Sequence, residues 1–286
     1  HNISGSSTFV VTPVGFCVQS TDTNSDCASG DATCTAFVAA GAAFNRDVIA
    51  KAWESNADTD LCTGNATTPN YVQSSIPLTH TLIAPTGGST SSGTLGVSSI
   101  DITTGGTASI STQSISEVGV FTITAAPTAG TYLDGTSVPS ATSANIGRFY
   151  PAAFTTAISN NGSFAAGCST CATPFTYLGA SFGYLTTDRP TVLITAVNTA
   201  GATTVNYQGA FAMLTAGAIG LSYPATDNTT NNAAGAALLG VTSTVGTPTI
   251  ADNSNGTLTM TMGASVADLF QYAREVISPF IADLSI

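Results

Sequence analysis

Cationic side chains are scarce in this chain: Lys and Arg together number 5 in 286 residues, against 16 Asp and Glu, for a formal net charge of −11. The five are Arg46, Lys51, Arg148, Arg189 and Arg274, scattered along the whole length. No phosphate-tracking stripe can be built from so few, so nucleic acid is excluded as a partner. Charged residues of all kinds make up 7%, where ~25% is usual. Hydrophobic content is an ordinary 43%, so Ser, Thr, Asn, Gly and Ala have replaced the charge, not extra core. Apolar residues recur throughout, which argues against charge-driven disorder. Long apolar runs are missing too: no stretch of about 18 residues is free of polar side chains, so no transmembrane helix is expected. The opening HNISGSST has neither a basic nor an apolar leader region, so the expectation is that any signal peptide has already been removed.

Catalytic raw material is equally thin. Histidine occurs twice, at His1 and His80. A nucleophilic triad needs a histidine or lysine base; only His1, His80 and Lys51 are on offer, and no Gly-x-Ser-x-Gly precedes a helix. Glutamate is limited to Glu54, Glu117 and Glu275, and no pair of acids is spaced like a glycosidase site. The expectation is that the chain is not an enzyme and holds no cofactor. Two metal readings stand beside that. A free N-terminal His1 with His80 would suit copper. Asp22, Asn24 and Asp26 alternate like the start of a calcium loop, but Cys27 sits where such a loop has glycine and no glutamate closes it.

Six cysteines are present: Cys17, Cys27, Cys34, Cys62, Cys168 and Cys171. An even number with so little lysine points to an exported, disulfide-bonded protein. Cys27 with Cys34 would close a small loop and Cys17 with Cys62 a larger one, and two other pairings of these four remain open. Cys168–Cys171 is a CxxC between strand-like runs, read as a structural bridge and not a redox pair.

Strand signals dominate. Residues 9–14 (FVVTPV) form a short β-branched run. Residues 110–125 alternate at Ile115, Val118, Val120 and Ile123. Residues 191–197 (TVLITAV) alternate, break at Asn198–Gly201 and resume at 203–207, as a hairpin would. Residues 258–262 (LTMTM) repeat with period two. Residues 36–53, 233–239 and 266–274 read as short helices or strands, periodicity deciding none of them.

An ordered set of motifs then carries a resemblance. EVGVF at 117–121 precedes IGRFYPAAF at 146–154. Cys171 follows, then FTYLGASF at 175–182, LITAVNTAG at 193–201 and NYQG at 206–209. FQYAR at 270–274 and SPF at 278–280 stand near the end. In this order the motifs resemble MshQ-like proteins, which are associated with mannose-sensitive haemagglutinin type IV pili in bacteria. The resemblance spans residues 115–286, with a looser match before that through residues 9–13 and 39–44. It implies a large exported surface protein of β-sandwich modules, acting in adhesion or at a pilus, with no catalytic residues. Such proteins continue past the Ser-Pro-Phe segment, so the expectation is a processed piece of a longer product.

The expected fold is therefore all-β: two Ig-like β-sandwich domains with short helical turns, a disulfide-bonded one over 1–145 and an MshQ-like one over 146–286. The expected function is an extracellular subunit of the bacterial cell surface, self-associating into a filament or joining other pilus components. Phe9, Val10 and Val11, or Phe280, Ile281, Leu284 and Ile286, would supply a strand that completes a sheet in the neighbouring subunit. A second reading is an adhesin module binding a glycan or surface receptor through exposed aromatics, with Trp53, Tyr71, Tyr132 and Tyr150 as candidates. A third is a copper- or calcium-dependent secreted enzyme.

Overall fold

A computed structural model describes residues 7, 9–165, 167, 168, 171, 175–220, 238, 239, 247–263 and 268–272. Among these the regular secondary structure is nearly all strand, with a few short 3-10 turns. It divides into two compact units: His1–Phe154 with Ala196–Ala212 and Ser254–Gly256, and Thr155–Thr195 with Met213–Asn253 and Thr257–Ile286.

The first unit holds two sheets. One is three-stranded, with β1 (Gly15–Gln19), β2 (Phe44–Lys51) and β5 (Thr107–Gln113) in the order β1-β2-β5. The other is five-stranded: β4 (Ser99–Ile102), β3 (Gln73–Ala84), β6 (Gly119–Ala125) and β7 (Ala141–Thr142) in that order, with β8 (Ile146–Phe149) also on β6. All pairings are antiparallel. Period-two alternation turns Phe44, Val48 and Ala50 of β2 inward, and Ile76 and Leu78 of β3, where they meet Phe16, Ile110, Ile102, Phe121, Ile123 and Phe149 in one buried cluster. Side chains from both sheets fill this core, which is the β-sandwich arrangement. Its centre is aromatic: Phe37, Phe44 and Phe149 pack edge to face at 5.5–5.6 Å.

The second unit contains a four-stranded sheet in the order β13-β14-β11-β9, built from β9 (Ala153–Asn160), β11 (Thr191–Val197), β13 (Thr249–Asp252) and β14 (Thr257–Thr261). The ends of β9 and β11, at residues 153–154 and 196–197, belong to the first unit. A three-stranded sheet orders β10 (Phe182–Gly183), β15 (Leu269–Tyr272) and β12 (Leu238–Leu239) as β10-β15-β12. Phe270 and Tyr272 are buried there against Phe164, Phe182 and Tyr184.

Several expectations change. Residues 44–51 are strand, and so are 269–272. The expected boundary at 145/146 is not where the units divide, because Ile146 and Phe149 pair with Phe121 and Gly119 of β6 in the first unit. The expected hairpin within 191–207 forms only as a short one: Val197 bridges Thr203 antiparallel, and Asn198 N–H and Thr204 N–H donate to the Ala202 and Ala196 carbonyls, both at 2.9 Å. β11 pairs with β14, Leu193 opposite Thr259, and the chain after the Val197–Thr203 bridge enters turns and the 3-10 turn Gly209–Phe211. Beyond Thr204 two backbone donors go to a side chain: Val205 N–H and Asn206 N–H donate to the Glu117 carboxylate at 3.2 and 3.4 Å. The turn at Gly256 is tight. It has φ +82°, and a Cβ there would lie 2.2 Å from the Thr204 carbonyl oxygen, so only glycine fits.

The first four cysteines pair as Cys17–Cys62 and Cys27–Cys34, and Cys168 bonds Cys171. The Cys27 loop is stitched by Asp31, which accepts bonds from Thr33 N–H, Thr33 Oγ1 and Ser29 Oγ at 2.6–3.0 Å; the Thr33 bonds, then the one from Ser29, hold its carboxyl below the usual range.

Candidate functional site

β9 differs from the other strands whose side chains are described. All eight residues of its AFTTAISN sequence are exposed, with Phe154 at 41% and Ile158 at 68%. It ends its sheet, so one backbone edge faces β11 and the other has no strand beside it among the described residues. The β11 side is held by side chains too, Ser159 Oγ donating to the Thr191 carbonyl at 3.1 Å. Its far end is pinned where Asn160 Nδ2 and Ser163 Oγ donate to the Asp188 carboxylate at 2.8 and 2.6 Å. Those two bonds, Asn160 first, hold the Asp188 carboxyl below its ordinary value.

Natural sheets blunt such edges with charge, proline or bulges. β9 has no charged residue, no proline and no glycine. The other end of the same sheet, β13, carries Asp252. The two edges are therefore chemically unlike.

The strands expected to mediate assembly fare differently. Phe9 and Val11 are 79% and 75% exposed, and with Val10 they lie outside every sheet. The chain joins the fold at Val14, whose N–H donates to the Lys51 carbonyl. Phe280, Ile281, Leu284 and Ile286 lie outside the described residues, as do His1 and Arg274.

The metal candidates are spent on local structure. Asp22 takes the backbone N–H of Asn45 at 2.6 Å and the Asn45 side-chain amide, tying its turn to β2. Asn24 sits at φ +62° in that turn. Asp26 accepts from Ser25 Oγ at 3.4 Å, and its backbone bridges to Ile146. Among the described residues no group of three His, Cys, Asp or Glu is placed to hold a metal ion. His80 lies on β3 with Nε2 2.7 Å from the Ser92 carbonyl oxygen. Lys51 is buried and donates to the Asn65 carbonyl.

The four aromatic candidates do not form one platform. Tyr71 is 2% exposed, covered by Tyr132 and Phe16, so it cannot receive a ligand. Trp53 is 63% exposed and Tyr150 37%.

Two buried charges went unread in the sequence. Glu117, 5% exposed, gathers the N–H groups of Val118, Val205 and Asn206. Burial pushes its carboxyl up, and those three backbone donors pull the other way. Beside it, buried Asn206 donates to the Ser91 and Val118 carbonyls at 2.7 and 2.9 Å. A glutamate inside an otherwise apolar and hydroxylic run was the available signal. Arg46 is 1% exposed on β2 and points into the sandwich core, 5.7 Å above the Phe44 ring. Its Nε and Nη2 have no hydrogen-bond partner. Arg148, by contrast, donates through Nε to the Cys34 carbonyl, a clamp on the loop carrying the second disulfide.

Comparison with protein families places the chain. Residues 12–115 match the second domain of DUF6701, and residues 117–286 match its third domain. The chain belongs to the DUF6701 family. No curated protein and no solved structure matches it. The two DUF6701 segments meet at Glu117, whose carboxylate thus joins the start of one to residues 205–206 within the first unit. Three disulfides fit an exported member of the family, and no helix among the described residues is long and apolar enough to cross a membrane.

Proposed function

We propose that this DUF6701 chain is a non-enzymatic extracellular subunit of the bacterial cell surface, of the MshQ-like kind, built from Ig-like sandwiches and assembling copy to copy at an uncharged sheet edge. The observation that carries the reading is β9: eight exposed residues without charge at the end of a sheet. An edge of this kind adds a strand readily, main-chain hydrogen bonds giving affinity. A second copy of β9 can lie antiparallel against the first about a two-fold axis. Because the strand carries no charge, like meets like without repulsion. The low charge of the whole chain, 7%, lowers the desolvation cost of burying the flanking surface. A two-fold contact closes as a dimer, so growth into an adhesive filament uses a further surface; the exposed Phe9–Val11 segment and residues 280–286 are the candidates.

Sedimentation velocity over a range of concentrations, with negative-stain microscopy, tests this. The wild-type chain should associate, and Ile158→Lys, a change at an exposed position, should hold it monomeric. A wild-type chain that stays monomeric throughout, or an Ile158→Lys chain that assembles equally well, overturns the β9 reading. Removing residues 280–286 without effect on assemblies longer than a dimer overturns the C-terminal strand.

A further inference from the structure

The second unit contains a cleft of about 480 Å³, within the ~300–1,000 Å³ range of small-ligand sites. Its wall is aromatic. Phe182 and Tyr184 sit two residues apart and share one face, both packing on Phe164 and Phe270. The Phe164 and Tyr184 rings stack at 5.2 Å with an interplanar angle of 14°. The wall is thus held before any ligand arrives. Gly183 between them lets β10 lie close to β15, since a Cβ there would be 2.7 Å from the Asp268 carbonyl oxygen. At the rim Tyr177 is 68% exposed, its ring steadied edge to face by Phe175 at 5.4 Å.

The floor is polar. Arg189 Nη1 donates to the Gly263 carbonyl at 3.0 Å, which fixes the guanidinium and uses one of its five donors. Gly263 is where three groups converge: a Cβ on it would lie 3.1 Å from Tyr184 Cδ2, 3.4 Å from Asp268 Oδ2 and 3.9 Å from Arg189 Cδ. Among the described residues Arg189 and Asp268 are the charged side chains of the lining and cancel. The remaining polar side chains among them are the hydroxyls of Thr176, Ser181, Thr186 and the tyrosines.

We infer that this cleft binds a neutral saccharide. A sugar ring offers an apolar C–H face that suits an exposed tyrosine ring, and a fringe of hydroxyls that suits a fixed guanidinium and threonine hydroxyls. A lining that is net-neutral among the described residues gives an anionic ligand no advantage over an uncharged one. The site does not depend on β9 or on self-assembly, so the two proposals fail separately.

The test uses the full chain on an array of neutral hexose oligosaccharides, with sialylated and sulfated glycans as anionic comparators, followed by calorimetry on the best neutral binder. The wild-type chain should bind neutral glycans. Tyr177→Ala, at an exposed position, should weaken binding about tenfold or more, as loss of an anchoring aromatic does. Tyr177→Phe should retain it within about threefold, because the ring carries the contact. Trp53→Ala, outside the cleft, should change nothing. Absence of binding to every neutral glycan, a preference confined to anionic glycans, unchanged binding by Tyr177→Ala, or equal loss in Tyr177→Phe overturns the proposal. A thermal melt of each variant confirms that the fold is kept.

Discussion

Replacing Arg46 by methionine should make this protein more stable. Arg46 is buried to 1% exposure, yet Nε and Nη2 have no acceptor. Burial lowers its pKa to about 10, even though Asp26, Asp47 and Asp22 work in the opposite direction. At ~1.4 kcal/mol per pH unit, that fall amounts to about 3 kcal/mol against the charged form, those aspartates included. The Phe44 ring at 5.7 Å returns about 1 kcal/mol as a cation–π contact. Methionine fills a similar slender volume without polar donors, so Arg46→Met should gain about 2 kcal/mol. Arg46→Ala should instead lose stability, since it leaves a cavity between the sheets. Urea unfolding at neutral pH with disulfides intact measures both. The sign also shows in alkali. Above pH 10 the unfolded arginine still holds a proton that the folded one has released, so this residue's penalty is full below pH 10 and fades as pH rises beyond it. A methionine variant less stable than wild type by more than about 1 kcal/mol would refute the reasoning, because Arg46 would then have to be well paired.

Tyr71 gives the opposite alkaline trend. Burial, with Tyr132 nearby, pushes its hydroxyl to about 12 from 10, so its contribution is whole below pH 10 and is lost as pH rises towards 12; Tyr71→Phe should flatten that decline in a pH series of thermal melts. Glu117 has a raised carboxyl, so protonation favours the folded state, and its contribution shrinks as pH rises from the ordinary carboxylate range. Glu117→Gln should remove that slope, and should also lower stability by about 1–3 kcal/mol at neutral pH, because an amide donor then faces a backbone N–H. Loss of the Cys17–Cys62 bridge, with 45 residues of separation, should cost about 4 kcal/mol on the chain-entropy account, against about 2.4 kcal/mol for Cys27–Cys34 with a separation of 7. Denaturant curves of the paired alanine variants rank the two, and an inverted order counts against that account.

The same arginine explains what the sequence hid. In β2 the inward positions read Phe44, Arg46, Val48 and Ala50, and a charge in the second of them broke the alternation that would have marked a strand. β11 and β14 were legible because their inward residues, Ile194, Leu258 and Met260, are uniformly apolar. Residues 203–207 alternate as a strand does, but Glu117, nearly ninety positions away, captures two of their N–H groups; local pattern contains no trace of such a partner. β9 had no pattern to read, since with all of its residues exposed nothing selects apolar over polar on alternate positions. The cleft was equally invisible, because Tyr177, Tyr184, Arg189 and Asp268 converge only once β10 pairs with β15. Tyr71 and Tyr132 failed as exposed aromatics because they lie outside the strands, where no alternation shows that they pack on one another and Tyr71 on Phe16.

The five-stranded sheet bears on how such chains diversify. Residues 12–115 and 117–286 match two separate DUF6701 domains, yet β3, within the earlier segment, runs antiparallel to β6 in the later one, with Leu78 opposite Ala125 and Leu82 opposite Phe121. A recombination event at residue 116 would leave β3 without that neighbour and open the sandwich. Exchange of modules at this seam is therefore constrained to partners whose own β6 keeps the same register and apolar face. Residues 12–115 and the β6 region of the later segment should therefore co-evolve, although they match two different domains.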